Sequence, residues 1–276
     1  MAKRILSTVA LWMIVGCVLW FFRTTGTLVL IALISVLTLR EFYQLMRAMG
    51  YAPFDKLGLF FGALITMAPW VEAHYGRPSH PLLALATVVF AVRLLGERTP
   101  ENRVDSLSST LFGLVYVSLL LQYMTRIVTP LPGDTITPDG RLLIALWIIM
   151  VAKFCDMGAL LTGLAIGRHK MSPLISPKKT WEGAVGGVLF SMATGAIFAH
   201  FARGQFPPHL TPLVAALIAA PIAVLGIVAD LVESVIKRRA ERKDSGATIP
   251  GIGGMFDLSD SILLAAPVGY VLFGLP

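Results

Sequence analysis

Residues 213–229 read LVAALIAAPIAVLGIVA, a run of 17 residues in which no side chain is charged or forms hydrogen bonds. A helix of this length reaches about 25 Å, close to the roughly 30 Å thickness of the hydrocarbon core of a bilayer. Asp230 follows the run directly. The stretch therefore predicts a transmembrane helix that ends at a membrane surface with a carboxylate beside it.

Apolar runs of this kind recur along the whole chain. Hydrophobic residues make up 56% of the 276 residues and charged residues only 14%, whereas a soluble domain carries roughly a quarter charged residues. The composition predicts an all-α, polytopic integral membrane protein with about nine transmembrane helices. The first run of the chain, residues 5–22, is longer than the apolar part of a signal peptide, and no small-residue cleavage site follows it. We therefore treat it as a span. The other eight runs are 5–22, 27–39, 57–71, 82–95, 107–124, 142–167, 183–201 and 258–273.

The distribution of lysine and arginine predicts the orientation of these helices. If the N-terminus lies in the cytoplasm, the loops on that side hold 16 of the 23 Lys and Arg residues, and the opposite loops hold five. Arg93 and Lys153 lie within runs. Such a bias marks the cytoplasmic side. It places segments 168–182 and 230–260, which two spans separate, on the same cytoplasmic face, where they can form one site.

Segment 230–260 carries acidic side chains at helical spacing. Asp230 and Glu233 are three residues apart, and Lys237 follows four residues later, so the three share a helical face. Asp257 and Asp260 repeat the three-residue spacing. Carboxylates at the end of a span are costly unless they are paired, hydrated or bound to a cation. Beside a cluster of Lys and Arg, they predict a Mg²⁺ site that holds a polyphosphate, with Asp230, Asp257 and Asp260 as ligands.

A glycine-rich turn, PGIGG at residues 250–254, lies between these charges. The backbone amides of Gly253 and Gly254 can approach an anion closely because glycine has no side chain. A solvated, salt-bridged loop is the alternative interpretation of the segment. It leaves the glycines unexplained, and both interpretations stay open here.

A second polar segment, SPKKTWEG at residues 176–183, precedes the run 183–201. Lys178 and Lys179 are point charges suited to phosphate, and Thr180 or Ser176 is expected to cap the helix that follows. A positively charged cytoplasmic loop with Trp181 as an interfacial anchor explains the same residues from charge pattern alone. The two interpretations are alternatives at this point.

Other positions carry weaker signals. Asp156 lies deep in an apolar run, which makes it a candidate functional residue. Gly163 and Gly167 are four residues apart, a spacing that predicts close helix packing. Glu41 follows Arg40, and an interfacial ion pair explains it as well as a functional role does. The sequence contains no Walker A, HExxH or GxSxG motif.

Taken together, the polar segments resemble the phosphatidate cytidylyltransferase (CDP-diacylglycerol synthase) family. The C-terminal signature of that family runs Ser-x-x-Lys-Arg, four residues, Lys-Asp, a small residue, Pro-x-His-Gly-Gly and Asp-Arg-x-Asp. The stretches at Asp156 and at residues 176–183 are similar to two further family blocks, so the resemblance covers about residues 145–276. This chain departs from the signature at Ile252, where the family has His, and at Leu258, where it has Arg. Eleven positions fall in register with the signature: Ser234, Lys237, Arg238, Lys243, Asp244, Gly246, Pro250, Gly253, Gly254, Asp257 and Asp260.

The resemblance implies an enzyme that joins CTP and phosphatidic acid to give CDP-diacylglycerol and pyrophosphate in phospholipid biosynthesis. It implies Mg²⁺ as the cofactor and leaves room for a second cation beside it. Lys237 and Arg238 are expected to clamp phosphates, and Ser234 to donate to a phosphate or to a metal-bound water. Lys243 and Asp244 are expected as further catalytic residues. Lys178 and Lys179 are expected to hold the triphosphate of CTP. The other expected substrate-binding residues are Ser176, Asp156, Glu182, Gly253 and Gly254.

The expected partners are CTP, phosphatidic acid, bilayer lipid and a second copy of the chain in a homodimer, with no nucleic acid. We expect a multi-pass protein of the inner cell membrane whose active site faces the cytoplasm. Residues 1–140 would form about five N-terminal spans, and residues 141–276 a catalytic region of about four. The alternatives are another CTP-dependent lipid transferase, a lipid kinase, or a transporter of ions or metabolites. A transporter predicts ionisable residues near mid-span in both halves, whereas the first four spans contain only Arg93, which favours the enzyme.

Overall fold

The computed structural model describes residues 2–96, 103–131, 133–251 and 253–275. Helices dominate the described chain, which confirms the all-α prediction. A two-stranded antiparallel hairpin and two short π-helical stretches, Val18–Phe22 and Leu114–Leu119, complete it. The helices and strands are α1 (Ala2–Cys17), α2 (Arg23–Ala48), α3 (Asp55–Tyr75), α4 (Pro81–Leu95), α5 (Arg103–Gly113), α6 (Leu120–Val128), α7 (Pro138–Ile166), β1 (Lys170–Ser172), β2 (Ser176–Thr180), α8 (Trp181–Phe201), α9 (Pro212–Arg239) and α10 (Met255–Leu272).

The predicted count of about nine spans is not confirmed. The runs 5–22 and 27–39 fall in one 43-residue segment, where Arg23, with a φ of 47°, interrupts the helical backbone. The run 82–95 forms α4, whose 15 residues are short for a crossing. Within the described residues, seven segments are long and apolar enough to cross a membrane: Leu6–Ala48, Asp55–Tyr75, Val104–Val128, Pro138–Ile166, Trp181–Phe201, Pro212–Arg239 and Met255–Leu272.

The chain forms two compact units. One consists of Met1–Thr129 with Ile236–Ser259, and the other of Pro130–Val235 with Asp260–Pro276. One boundary falls between α6 and α7, and the other two fall inside α9 and α10. The division expected at residue 140 follows the order of the spans along the sequence, and it stays a prediction.

In the first unit, α2 forms the centre of the packing. Phe42 is fully buried and meets Phe256 edge to face, with ring centroids 6.0 Å apart. Tyr43 donates its hydroxyl hydrogen to the carbonyl oxygen of Thr110 over 3.0 Å. Gly58 and Gly113 both lie against the Tyr43 ring, where an added Cβ would approach it to 2.5 Å. Glycines thus let α3 and α5 pack closely against α2.

In the second unit, α7 and α8 pack along a seam of small residues. A Cβ on Gly187 would lie 2.7 Å from the carbonyl oxygen of Cys155, and one on Gly163 would lie 3.1 Å from Oγ1 of Thr180. Trp147 donates its indole hydrogen to the carbonyl oxygen of Gly195 over 2.9 Å. The close packing predicted from the spacing of Gly163 and Gly167 is confirmed, because both glycines lie against Thr180 at the start of α8.

Candidate functional site

Three carboxylates come together in the second unit. Asp230 and Glu233 lie one turn apart on α9, and Asp260 lies on the second turn of α10. One oxygen from each lies within 4.8 Å of the others. Glu233 is 1% exposed and Asp260 5% exposed, while Asp230 is half-buried. We call Asp230, Glu233 and Asp260 the carboxylate group.

Like charges at this separation repel one another strongly. At an effective dielectric constant of 20, two unit charges 4.8 Å apart repel by about 3.5 kcal/mol. Two lysines offset the repulsion. Lys179 Nζ lies 2.5 Å from Oδ2 of Asp230, and Lys153 Nζ lies 3.5 Å from Oδ1 of Asp260. Lys153 also donates to Oγ of Ser261 over 2.8 Å, which fixes its position beside the group.

Lys179 reaches Asp230 because a β-hairpin carries it. Lys170 pairs with Thr180 and Ser172 with Ser176 in the antiparallel ladder. The ladder is irregular between these two pairs, so simple alternation along the strand does not decide which way Lys178 and Lys179 point. Lys178 is exposed, whereas the Lys179 side chain is 24% exposed and ion-paired.

The expected cap of α8 is present at the end of this hairpin. Oγ1 of Thr180 accepts a hydrogen bond from the amide of Gly183 over 3.1 Å. This bond satisfies one of the free amides in the first turn of α8. Of the two capping residues that the sequence allowed, Thr180 is the one that caps the helix, and Ser176 begins β2.

Asp156 and Glu182 contact different parts of the second unit. The Asp156 carboxylate lies 4.0 Å from Nζ of Lys153, one turn away on α7. Glu182 accepts hydrogen bonds from the backbone amides of Arg168 and His169 and lies 2.5 Å from Nδ1 of His169. Glu182 therefore holds the chain that leaves α7, while Asp156 lies next to a lysine of the carboxylate group.

Asp257 lies in the first unit, and two sets of donors surround it. Lys237 Nζ lies 2.6 Å from its Oδ1. Its Oδ2 accepts hydrogen bonds from the amide of Ser245 over 2.9 Å and from the amide of Gly254 over 2.8 Å. The glycine turn therefore approaches an anion, and in this structure that anion is the Asp257 side chain. The metal role predicted for Asp257 and the substrate role predicted for Gly254 stay predictions.

Gly253 adopts a backbone conformation that only glycine takes readily, with a φ of 132°. Its amide donates to the carbonyl oxygen of Ile249 over 3.1 Å, which closes the turn. Ile252, one of the two departures from the family signature, lies outside the described residues. Leu258, the other departure, is half-buried in the first turn of α10.

The remaining predicted residues lie at the end of α9 and just after it. Ser234 donates to Oδ1 of Asp230 over 3.5 Å within the second unit. Arg238, Lys243 and Asp244 are exposed to solvent. Their predicted roles therefore require a substrate that comes to them from the solvent side.

Three charged residues that contact other polar groups in the structure were assigned no site role from the sequence. They are Glu233, Lys153 and Glu41. The sequence did indicate Glu233, because it lies three residues after Asp230 and so shares a helical face with it. Lys153 is a charge inside an apolar run, which is itself a mark of function, but its partner Asp260 is 107 residues away. Glu41 carried only a weak signal, because an interfacial ion pair explained it equally well. Its contacts with Ser245 and Thr248 lie more than 200 residues along the chain.

These features define a class, that of helical membrane proteins in which buried carboxylates lie together beside lysines. A model of the Cytidylyltransferase family matches residues 2–275. The chain belongs to this family, which is a family of enzymes. The match includes the N-terminal half, where the motifs alone showed no resemblance.

Curated relatives agree with the family match. The chain is 30% identical over 270 residues to a phosphatidate cytidylyltransferase of Synechocystis sp., covering 91% of this chain and 87% of the relative. It is 27% identical over 275 residues to a phosphatidate cytidylyltransferase of Haemophilus influenzae, covering 96% of each. A third relative of the same name, from Thermotoga maritima, is 29% identical over 201 residues, covering 72% of this chain and 71% of the relative.

Proposed function

We propose that this chain transfers the cytidylyl group of CTP to phosphatidic acid, giving CDP-diacylglycerol and pyrophosphate. The names of the relatives support this substrate pair. The observation that carries the proposal is the carboxylate group, with Lys179 within 2.5 Å of Asp230. Both substrates are anions, so their reaction requires positive charge at fixed positions.

The carboxylate group fits a divalent cation. Hard cations such as Mg²⁺ prefer carboxylate oxygens, and Mg²⁺ in nucleotide sites is held by a few carboxylates together with substrate phosphates. Asp230, Glu233 and Asp260 offer three oxygens within 4.8 Å of one another. When bound, Mg²⁺ would draw electron density from the phosphate oxygens of CTP. A second cation, with Asp156 among its neighbours, remains part of the proposal.

The side chains of this site bring two anions together. An oxygen of the lipid phosphate forms a bond to the α-phosphorus of CTP, and the bond from that phosphorus to the oxygen bridging to the β-phosphate breaks, which releases pyrophosphate. The attacking oxygen is already charged, so no general base is needed. Lys179 supplies positive charge beside the carboxylate group. In the first unit, Lys237 and Arg238 keep the phosphate-binding role expected from the sequence.

A membrane location explains how the lipid substrate arrives. The seven long apolar segments indicate a multi-pass membrane protein. We propose the inner membrane with the site facing the cytoplasm, which the lysine and arginine bias supports. The bilayer then supplies phosphatidic acid with its phosphate held at the membrane surface. The homodimer stays a prediction.

The test is a product assay with purified protein, Mg²⁺ and CTP labelled at the α-phosphate, offered a panel of lipid phosphates and lipid alcohols. We expect labelled CDP-diacylglycerol from phosphatidic acid. Asp230→Asn, Glu233→Gln and Asp260→Asn should each lower turnover by about 100-fold or more and raise the Mg²⁺ concentration that half-saturates the reaction. A product from a lipid alcohol alone would replace the proposal with another transferase or kinase activity.

Two further variants sharpen this assay. Asp105→Asn removes an exposed carboxylate at the start of α5, so turnover should stay within about twofold of the wild type. Asp257→Asn tests whether Asp257 is a Mg²⁺ ligand, as the sequence predicts. If it leaves turnover and Mg²⁺ dependence unchanged, Asp257 is not a ligand. If no variant and no wild-type sample labels any lipid, the proposed function is wrong.

A further inference from the structure

Helix α10 begins without a capping side chain of its own. Its first residue is Met255, and the residue before it, Gly254, has no side chain with which to accept the free amides of the first turn. Such amides need acceptors, because an unpaired buried donor is costly. The acceptors come from other parts of the first unit.

Glu41 of α2 supplies the acceptor for one of these amides. The amide of Phe256 donates to its Oε2 over 2.9 Å. Ser245 donates its hydroxyl hydrogen to the same oxygen over 2.9 Å, and Thr248 donates to Oε1 over 2.5 Å. Glu41 is 3% exposed. One buried carboxylate therefore joins the first turn of α10 to the loop before it.

The same contact explains the glycines beside Glu41. An added Cβ on Gly254 would lie 2.2 Å from Oε2 of Glu41, and one on Gly246 would lie 2.5 Å from Oε1. A serine or aspartate cap at residue 254 would collide with the carboxylate that replaces it. The sequence therefore combines a glycine at the capping position with a distant acid that takes over the capping function.

The hydrogen bonds continue from Glu41 to Lys237. Ser245, which donates to Glu41, also lies against Asp257: its amide and its hydroxyl each lie 2.9 Å from Oδ2 of Asp257. Oδ1 of Asp257 then pairs with Lys237. All of these residues belong to the first unit. A change at Glu41 is expected to shift Ser245, and through it the ion pair of Asp257 and Lys237.

We infer that Glu41 is a positioning residue for the cytidylyl transfer: it caps α10 from α2 and so holds in place the ion pair of Asp257 with Lys237, a proposed phosphate-binding residue. The inference rests on the proposed function. Glu41 does not touch substrate in this account. It acts through Ser245 and Asp257, which hold the lysine.

The test compares Glu41→Gln with two other variants. Glutamine keeps the size but removes the charge and turns one acceptor oxygen into a donor. Thr248→Val removes one of the three donors and leaves the bond to Phe256, so its effects should be smaller. Glu72→Gln is the matched control, because Glu72 is an ion-paired acid of the same unit that contacts Arg126 and Ser79.

Two readouts separate the cap from the chemistry. The first is hydrogen exchange of peptides covering residues 254–259, which should become roughly tenfold faster in Glu41→Gln and stay unchanged in Glu72→Gln. The second is the KM for CTP, which should rise about fivefold or more in Glu41→Gln as Lys237 loses its fixed position. A smaller folded fraction would lower the apparent kcat and leave the KM unchanged.

The outcomes decide between these explanations. Unchanged exchange at residues 254–259 in Glu41→Gln would overturn the capping role. Faster exchange with an unchanged KM for CTP would overturn the positioning role. If the wild type transfers no cytidylyl group to phosphatidic acid, the proposed function fails. Exchange still reports on the cap in that case, so the two failures are distinguishable.

Discussion

Lys178 and Lys179 offer a direct test of the site, because they have the same chemistry and different surroundings: Lys178 is exposed, whereas Lys179 is ion-paired with Asp230. We consider Lys179→Met and Lys178→Met, each of which removes one positive charge. The Lys179 ion pair with Asp230, at 2.5 Å, has a gross attraction of about 6.6 kcal/mol at an effective dielectric constant of 20. The two side chains are 24% and 30% exposed, so desolvation and solvent screening reduce the net value to roughly 1–3 kcal/mol.

A charged hydrogen bond to a phosphate of CTP contributes a similar binding free energy, about 1.5–3 kcal/mol. Loss of that contact predicts a decrease of about 10- to 100-fold in kcat/KM for CTP in Lys179→Met. Lys178 is exposed, so Lys178→Met should lower kcat/KM by less than about threefold.

The assay measures initial rates of CDP-diacylglycerol formation against CTP concentration at fixed lipid and Mg²⁺. Both variants change the net charge equally, so a general loss of attraction for CTP would affect them equally. Equal decreases in kcat/KM would therefore refute a role that depends on the ion pair of Lys179 with Asp230. A normal kcat/KM in Lys179→Met would remove Lys179 from the site.

Three further predictions concern topology, an outer loop and the departures from the family signature. A cysteine that replaces Leu174, which is 96% exposed, or one that replaces Ala247 should react with an impermeant maleimide only from the cytoplasmic side. A cysteine that replaces Gly204 should react only from outside. Labelling at positions 174 and 247 from opposite faces would refute the single-face topology. Burial favours the neutral form of Asp134, but hydrogen bonds from Arg141 and the amide of Ile136 outweigh it and lower the pKa of Asp134. The stabilisation by Asp134 is then present above its unfolded pKa of about 3.9 and is lost as the pH falls through its lower folded pKa. Asp134→Asn should therefore lower the free energy of unfolding by about 3 kcal/mol at pH 7. In thermal unfolding, the difference between the variant and the wild type should shrink toward about pH 2. Finally, Ile252→His with Leu258→Arg should raise kcat/KM for phosphatidic acid by about tenfold if each departure is a simple loss of a donor, whereas a decrease would show a pocket adapted to apolar side chains.

Apolar periodicity predicted the helical class and the location of most helices, because burial in lipid leaves long runs without charges. It could not predict the number of crossings. Whether the runs 5–22 and 27–39 cross separately depends on the backbone at Arg23, which hydropathy does not report. The run 82–95 shows the same limit, since its hydropathy is high but its helix is only 15 residues long.

The candidate site was predictable where its residues are close in sequence. Asp230, Asp260 and the two lysines of the hairpin stand in short motifs whose spacing indicates their chemistry. Which lysine faces Asp230 depends on the strand register, and a two-lysine motif contains no such information. Glu41 and Lys153 depend on contacts between distant segments, so only the fold reveals what they bind.

The charges gathered in the second unit allow the proposed divalent cation to be tested by changing the total charge. In the part of that unit that the structure describes, the contacts connect four carboxylates, Asp156 and the three of the carboxylate group, with Lys153 and Lys179. Fully ionised, these side chains have a formal charge of −2, which a single Mg²⁺ would neutralise. Replacing a carboxylate by an amide brings the charge to −1, whereas replacing a lysine by methionine brings it to −3. The two kinds of variant should therefore change the Mg²⁺ requirement in opposite directions even where both lower turnover, because the cation responds to the total charge while the reaction also needs each side chain in its place.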